Sequence, residues 1–180
     1  MRVIAGEYRS RRLKSVAGVA VRPTPDRLRE ALFNVLSLRL EGCVFVDAYA
    51  GSGAVGIEAL SRGARHVVLI ERNPAAVNVI RENLASLGIT SQATVIRGNA
   101  LTTLTKHDAD IVFLDPPYPQ VRDYAASLEI LAQMRCPLVI AQHESRLNLP
   151  DQSGRLKKTR ILKQGDNSLS FYERASRSDE

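Results

Sequence analysis

Cys43-Val44-Phe45-Val46-Asp47-Ala48-Tyr49-Ala50-Gly51-Ser52-Gly53-Ala54-Val55-Gly56 takes the chain from a strand, through a glycine loop, into a helix. Residues 43–47 are apolar up to a terminal aspartate, and so short an apolar run bounded by turn residues predicts a buried strand. The glycines end it, and a helix is predicted from residue 54 to about residue 62. The same alternation repeats downstream. Strands are predicted at 66–71, 92–97, 111–115 and 138–142, with helices at 74–87, stopped by Gly88, and at 123–134. Strand and helix in turn, with short connections, imply an α/β fold: a mostly parallel central sheet with helices on both faces. Residues 157–163 and 168–174, joined across Gly165-Asp166-Asn167, predict a closing antiparallel hairpin.

Upstream the pattern loosens. Residues 2–21 alternate loosely and contain Gly6 and Gly18, which predicts a small N-terminal β-hairpin or a pair of short strands. Thr24 then suits a helix N-cap and Pro25 the first helical position. Leu28, Ala31, Leu32, Val35 and Leu36 recur on one face of that helix. The expected division is a basic extension at 1–22, one main domain at 23–175 and a frayed tail at 176–180.

Length and charge narrow the function classes. A chain of 180 residues with 44% hydrophobic content suffices for one packed domain. No apolar stretch approaches the roughly 20 residues of a membrane span, and Met1-Arg2-Val3-Ile4 lacks a signal-peptide core. A cytoplasmic protein with no membrane partner is expected. Cys43 and Cys136 lie in apolar surroundings without disulfide or ligand spacing, and His66, His107 and His143 are scattered, so no metal site is expected. The net charge of +6 is uneven: residues 1–30 hold eight Lys/Arg against three Asp/Glu, whereas residues 31–150 hold ten against eleven. Arg9, Arg11, Arg12, Lys14 and Arg22 crowd the N-terminal piece, and Arg155, Lys157, Lys158, Arg160 and Lys163 the C-terminal one. Basic ends on a neutral body point to a polyanion, with nucleic acid first.

Gly51-Ser52-Gly53-Ala54-Val55-Gly56 matches the dinucleotide fingerprint, but its setting argues against a pyrophosphate. The strand ends on Asp47, and a fixed carboxylate beside the loop would repel that group. The same charge favours a ligand carrying an ammonium and a sulfonium, such as S-adenosylmethionine, while the helix N-terminus receives its carboxylate. Glu71 closes the next strand, where an acid can take both ribose hydroxyls. Asn99-Ala100 follows the third strand and could meet an adenine edge with a side-chain amide and a backbone N–H. Tyr49, Ser52 and Arg72 flank these positions and complete the expected cofactor set. Ser52 has no nucleophile elbow and no paired base, so acyl chemistry is not expected.

Asp115-Pro116-Pro117-Tyr118 follows the apolar run 111–114. Neither proline can donate to a sheet, so the strand must end there. Asp115, preceding a proline, is pushed towards extended geometry beyond the strand's carboxyl end. Its carboxylate and the Pro116 carbonyl offer two acceptors for the two N–H groups of an exocyclic amine. Tyr118 adds a stacking face worth roughly 1–3 kcal/mol per base.

With these residues in view, the chain resembles the RsmD family of bacterial 16S rRNA guanine-N2 methyltransferases, within the Rossmann-like class I methyltransferases. The likeness rests on Arg2-Val3-Ile4-Ala5-Gly6, on Arg22-Pro23-Thr24 with Asp26-Arg27 and Arg29-Glu30, and on Leu32-Phe33-Asn34. It continues through Asp47 to Gly53, where Tyr49 replaces a usual Phe, through Glu58-Ala59-Leu60-Ser61-Arg62-Gly63, and through Asp115 to Tyr118. The Asp-Pro-Pro-Tyr stretch is shared by many amino-group methyltransferases, and the Arg-Pro-Thr string is the more specific signal. The resemblance implies S-adenosylmethionine as donor and a guanine N2 as acceptor, at position 966 of 16S rRNA, with the RNA met within an assembling small subunit and the enzyme a monomer. It implies that Asp47, Gly51, Gly53, Glu71 and Asn99 line the cofactor site and that Asp115, Pro116 and Tyr118 hold the target. Arg9, Arg11, Arg12, Arg22 and Arg27 would meet RNA. The competing readings are a DNA adenine-N6 or cytosine-N4 methyltransferase, a methyltransferase acting on a protein amide, and a non-catalytic RNA-binding assembly factor.

Overall fold

The computed structural model describes residues 1–18, 24–117 and 120–175. Arg22 and Tyr118, and the predicted tail at 176–180, lie outside them. Five strands run parallel: β1 (Val44–Asp47), β2 (His66–Glu71), β3 (Ala93–Arg97), β4 (Ile111–Leu114) and β5 (Leu138–Glu144). Three more, β6 (Gln152–Ser153), β7 (Leu156–Gln164) and β8 (Asn167–Arg174), add antiparallel in the order β3-β2-β1-β4-β5-β8-β7-β6. The helices are α1 (Asp26–Leu36), α2 (Ala54–Ser61), α3 (Pro74–Ser86), α4 (Ala100–Thr103) and α5 (Arg122–Gln133).

Alternation along the strands builds two cores. Phe45, Leu69, Phe113 and Ile140 face one side, where they meet Leu32 and Phe33 of α1, Ile57 of α2 and Ile80 of α3. Val46, Ile70, Val112 and Val139 face the other, against Leu128 and Leu131 of α5. Each fully buried side chain of this kind is worth about 1.5–3 kcal/mol. All four residues of β4 are buried because a central parallel strand has helices on both sides.

The fold class and the closing hairpin are as the sequence predicts; the departures are local. The N-terminal hairpin is shorter than the sequence predicts: within residues 1–18 an antiparallel bridge joins Arg2 to Arg12, flanked by bonds from the Val3 N–H to the Arg11 carbonyl and from the Leu13 N–H to the Met1 carbonyl, and the rest is turns. Tertiary packing sets its path instead: Val3 and Leu13 are buried in the main core, and the Ile4 and Ala5 N–H groups donate to the Glu58 carboxylate of α2 at 2.9 and 3.0 Å. Thr24 does not cap α1. Pro25 precedes the helix in extended geometry without any side-chain cap, and the Thr24 hydroxyl donates to Gln142 Oε1 at 2.9 Å. Strand β5 outruns its predicted end because β8 pairs with it through His143 and Glu144. Helix α4 leaves no signal in the sequence, because one turn is too short to show periodicity; it is fixed by its Asn99 cap.

Candidate active site

Strand order reverses beside β1, whose partners β2 and β4 lead to opposite halves of the parallel sheet. A crevice opens at the carboxyl ends of strands at such a switch point, and open α/β sheets bind ligands there. Asp47, Glu71 and Asp115 all stand on this edge, at or one residue past the ends of β1, β2 and β4.

Asp47 lies beneath the glycine loop, 1% exposed, and its Oδ2 accepts the Gly56 N–H at 3.1 Å. It therefore braces the start of α2 as a buried acid beside the loop. Burial pushes its carboxyl up to about 7, with the Glu71 charge adding to the shift and the Gly56 and Tyr49 N–H groups opposing it. Gly56 permits the close approach: a Cβ there would sit 2.5 Å from Leu69 Cδ2.

Glu71 joins β2 to the loop. Its Oε2 accepts the Gly51 N–H at 2.9 Å and its Oε1 the Asn73 N–H at 2.8 Å. Asn99 is exposed, and its Oδ1 caps α4 by accepting the Leu101 N–H at 2.9 Å; Ala100 behind it is buried. Tyr49 reaches across to α5, its hydroxyl 3.2 Å from Ser127 Oγ and 3.4 Å from Asp123 Oδ2, and burial pushes it up to about 12. Arg72 faces Gln120; with the Gln120 amide oxygen turned towards it, Nη1 donates at 3.1 Å and the amide nitrogen donates to Asp123 Oδ2 at 3.1 Å. Tyr49 and Arg72 thus tie the loops after β1 and β2 to the segment that follows β4.

Asp115 is half-buried one residue beyond β4. Burial, then the neighbouring Asp47 charge, push its carboxyl up to about 7. Pro116 is buried and Pro117 exposed. The Pro117 carbonyl accepts the Gln120 N–H at 2.8 Å and forms the turn, while the Pro116 carbonyl has no donor among the described residues. The two acceptors expected for an amine therefore stand at the head of the double-proline turn, one of them with no protein partner there.

Of the basic residues expected to meet RNA, Arg9, Arg12 and Arg27 are exposed. Arg11 is exposed too, with Nη2 donating to the Ser86 carbonyl at 2.7 Å. Arg29, which shares the resemblance string with Arg27, is different: it is 0% exposed, pairs with Glu58 at 3.7 Å and Asp26 at 3.2 Å, and donates to the Arg2 carbonyl at 2.5 Å. It serves the fold and cannot touch a nucleic acid. Glu58, 0% exposed and also bonded to Arg62 at 2.8 Å, is the centre of this cluster. Its signal was available in the sequence as a lone carboxylate inside the apolar helical run Ala54 to Leu60. Asn83, buried at 2% in α3, carried no such signal.

Comparison with known proteins agrees with this geometry. The family model described as "Conserved hypothetical protein 95" matches residues 1–173. YlbH of Bacillus subtilis (strain 168), provisionally named an rRNA methyltransferase, is 34% identical over 97% of this chain and 99% of its own length. The "Ribosomal RNA small subunit methyltransferase D" of Escherichia coli (strain K12) is 41% identical over 66% of this chain, a match spanning 60% of that protein. Among solved structures, yhhF from Escherichia coli, provisionally named a methyltransferase, superposes with a TM-score of 0.84 at 31% identity, covering 98% of this chain and 99% of that one. An RNA methyltransferase from Salinibacter ruber, solved in complex with S-adenosyl-L-homocysteine, shares the fold at a TM-score of 0.65 and 19% identity, over 86% and 95% of the two chains. The chain belongs to the Conserved hypothetical protein 95 family, the RsmD family of Rossmann-like class I methyltransferases.

Proposed function

We propose that this protein methylates the exocyclic N2 amine of a guanine in 16S rRNA, position 966 by the family resemblance, with S-adenosylmethionine as donor. The observation that carries the reading is the pair of acids Asp47 and Asp115 on adjacent strands at the switch point, both pushed up to about 7.

The donor fits the residues present. Glu71 spends one lone pair of each oxygen on a backbone N–H, and a carboxylate has about four lone-pair sites, so two remain for ribose hydroxyls. The Asn99 amide NH2 is left for an adenine nitrogen, its oxygen serving as the α4 cap. Glu71, with Asp47 and Asp115 in their ionised forms, gives a negative field that suits a cation and disfavours a pyrophosphate; a bound cation in turn favours ionisation of the two raised acids. When bound, S-adenosylmethionine supplies an electrophilic methyl group on its sulfonium.

The remaining work falls to the chain. A guanine amino nitrogen is a poor nucleophile because its lone pair is delocalised into the ring. Asp115 and the Pro116 carbonyl accept its two N–H groups out of the ring plane and so favour a pyramidal nitrogen. Positioning and charge placement then supply most of the acceleration. Hydrogen bonds to an ionised carboxylate are worth about 1.5–3 kcal/mol. Unstacking the base costs a few kcal/mol, which stacking on Tyr118 roughly offsets. The methylated nitrogen is acidic, and Asp115, with its carboxyl near neutrality, is suited to take the proton. Arg9, Arg11, Arg12 and Arg27 hold the RNA backbone, and Arg22 serves the same end.

A labelled-donor assay on small-subunit particles, naked 16S rRNA, duplex DNA and protein tests the reading. Label in ribosomal RNA, mapped to one guanine N2, is the expected result. Label in DNA or protein alone would overturn it.

A further inference from the structure

Asn83 is buried in α3 and touches two segments remote in sequence. Its Oδ1 accepts the Lys14 N–H at 2.8 Å, and its Nδ2 donates to the Lys14 carbonyl at 3.1 Å and to the Ser52 carbonyl at 3.0 Å. One side-chain amide thus clamps the backbone of the N-terminal segment and the backbone of the glycine loop together. A second contact runs in parallel: the Leu13 N–H donates to the Met1 carbonyl at 2.9 Å, and Ser52 Oγ lies 3.9 Å from Met1 Sδ.

The Ser52 carbonyl is a sensitive point. It belongs to the peptide leading into Gly53, whose φ of 83° heads α2. Glycine tolerates rotation of such a peptide at little cost, so the loop's shape depends on what holds the plane. The Gly53 N–H is held by the Ala50 carbonyl at 2.7 Å, and the Ser52 oxygen by Asn83. If the loop or the segment shifts alone, a buried amide loses a partner, which is costly away from water.

We propose that Asn83 is a positioning residue that couples the basic N-terminal segment to the cofactor loop, so that RNA held on the segment and S-adenosylmethionine held on the loop strengthen each other's binding. The proposal rests on the methyltransferase reading above. Both ligands then stabilise one arrangement of a shared element, and linkage makes the effect reciprocal.

Calorimetry with S-adenosyl-L-homocysteine, with and without a short guanine-containing RNA hairpin, tests it on the full chain. Wild type should bind the homocysteine compound about fivefold or more tightly when RNA is present, at the low end of typical allosteric coupling. In Asn83→Ala that ratio should fall to about one. Should the variant fail to fold, hydrogen exchange on wild type answers the same question: the Lys14 amide should exchange more slowly once the homocysteine compound is added. An undiminished ratio in Asn83→Ala, a ratio of one in wild type, or unchanged Lys14 exchange would overturn the coupling while leaving the methyltransferase reading intact. A wild-type protein that does not bind the homocysteine compound at all would overturn both.

Discussion

Glu71 accepts the Gly51 N–H at 2.9 Å, so the acid that ends β2 also sets the position of the loop that follows β1. Glu71→Ala removes this bond and the acceptors expected for the ribose. Each hydrogen bond to an ionised group is worth about 1.5–3 kcal/mol. Affinity for S-adenosyl-L-homocysteine by calorimetry should therefore fall at least about tenfold, and the melting temperature should drop on the order of 10 °C, because the Gly51 and Asn73 N–H groups both lose their acceptor.

Glu58 is the counter-charge for two arginines. Among the described residues Arg29 Nε and Nη1 and Arg62 Nη2 already lack hydrogen-bond partners, and Glu58 also holds the Ile4 and Ala5 amides. Its replacement by Ala leaves the buried Arg29 with only the exposed Asp26 as counter-charge, a loss of about 3–5 kcal/mol. For a chain of this size each kcal/mol moves the melting temperature by about 2–4 °C, so calorimetric scanning should show a drop on the order of 10 °C.

The raised carboxyls of Asp47 and Asp115 give pH dependence a definite sign. Both titrate near 7 in the folded protein against an ordinary value of 3.8. Between those values the native state holds protons that the unfolded chain has released, so this pair's contribution to stability declines as pH rises from about 4 to about 7. Activity runs the other way, because Asp115 must be ionised to accept amine hydrogens. The kcat/KM for methyl transfer should rise with pH to a plateau above about 7 and drop about tenfold per unit below it. The kcat profile should lie at lower pH, since a bound cation favours the ionised acid. A flat kcat/KM between pH 5.5 and 8 would remove Asp115 from the reaction.

The parts legible in the sequence were those set by local chemistry. Apolar runs fix where β1, β2 and β4 stop, and that alone places Asp47, Glu71 and Asp115 on one edge of a parallel sheet. The Gly165-Asp166 turn fixes the last hairpin in the same way. Polar residues whose burial depends on a distant partner were not legible. Arg29 looks like its exposed neighbour Arg27 until Glu58 is brought against it. Thr24 has the composition of a cap, yet Gln142, far along the chain, offers its hydroxyl a better acceptor. Residues 1–18 alternate like strands, but their course is decided by Glu58 and Asn83, which lie in helices.

The most direct measurement pairs two assays on Asp115→Ala. Binding of S-adenosyl-L-homocysteine should stay within about a factor of three of wild type, less than 1 kcal/mol, because Glu71 and the glycine loop are untouched. Methyl transfer to 16S rRNA should fall on the order of 100-fold or more, as expected when a group that positions and deprotonates the nucleophile is lost. Near-normal turnover in a variant that still binds the homocysteine compound would contradict the account.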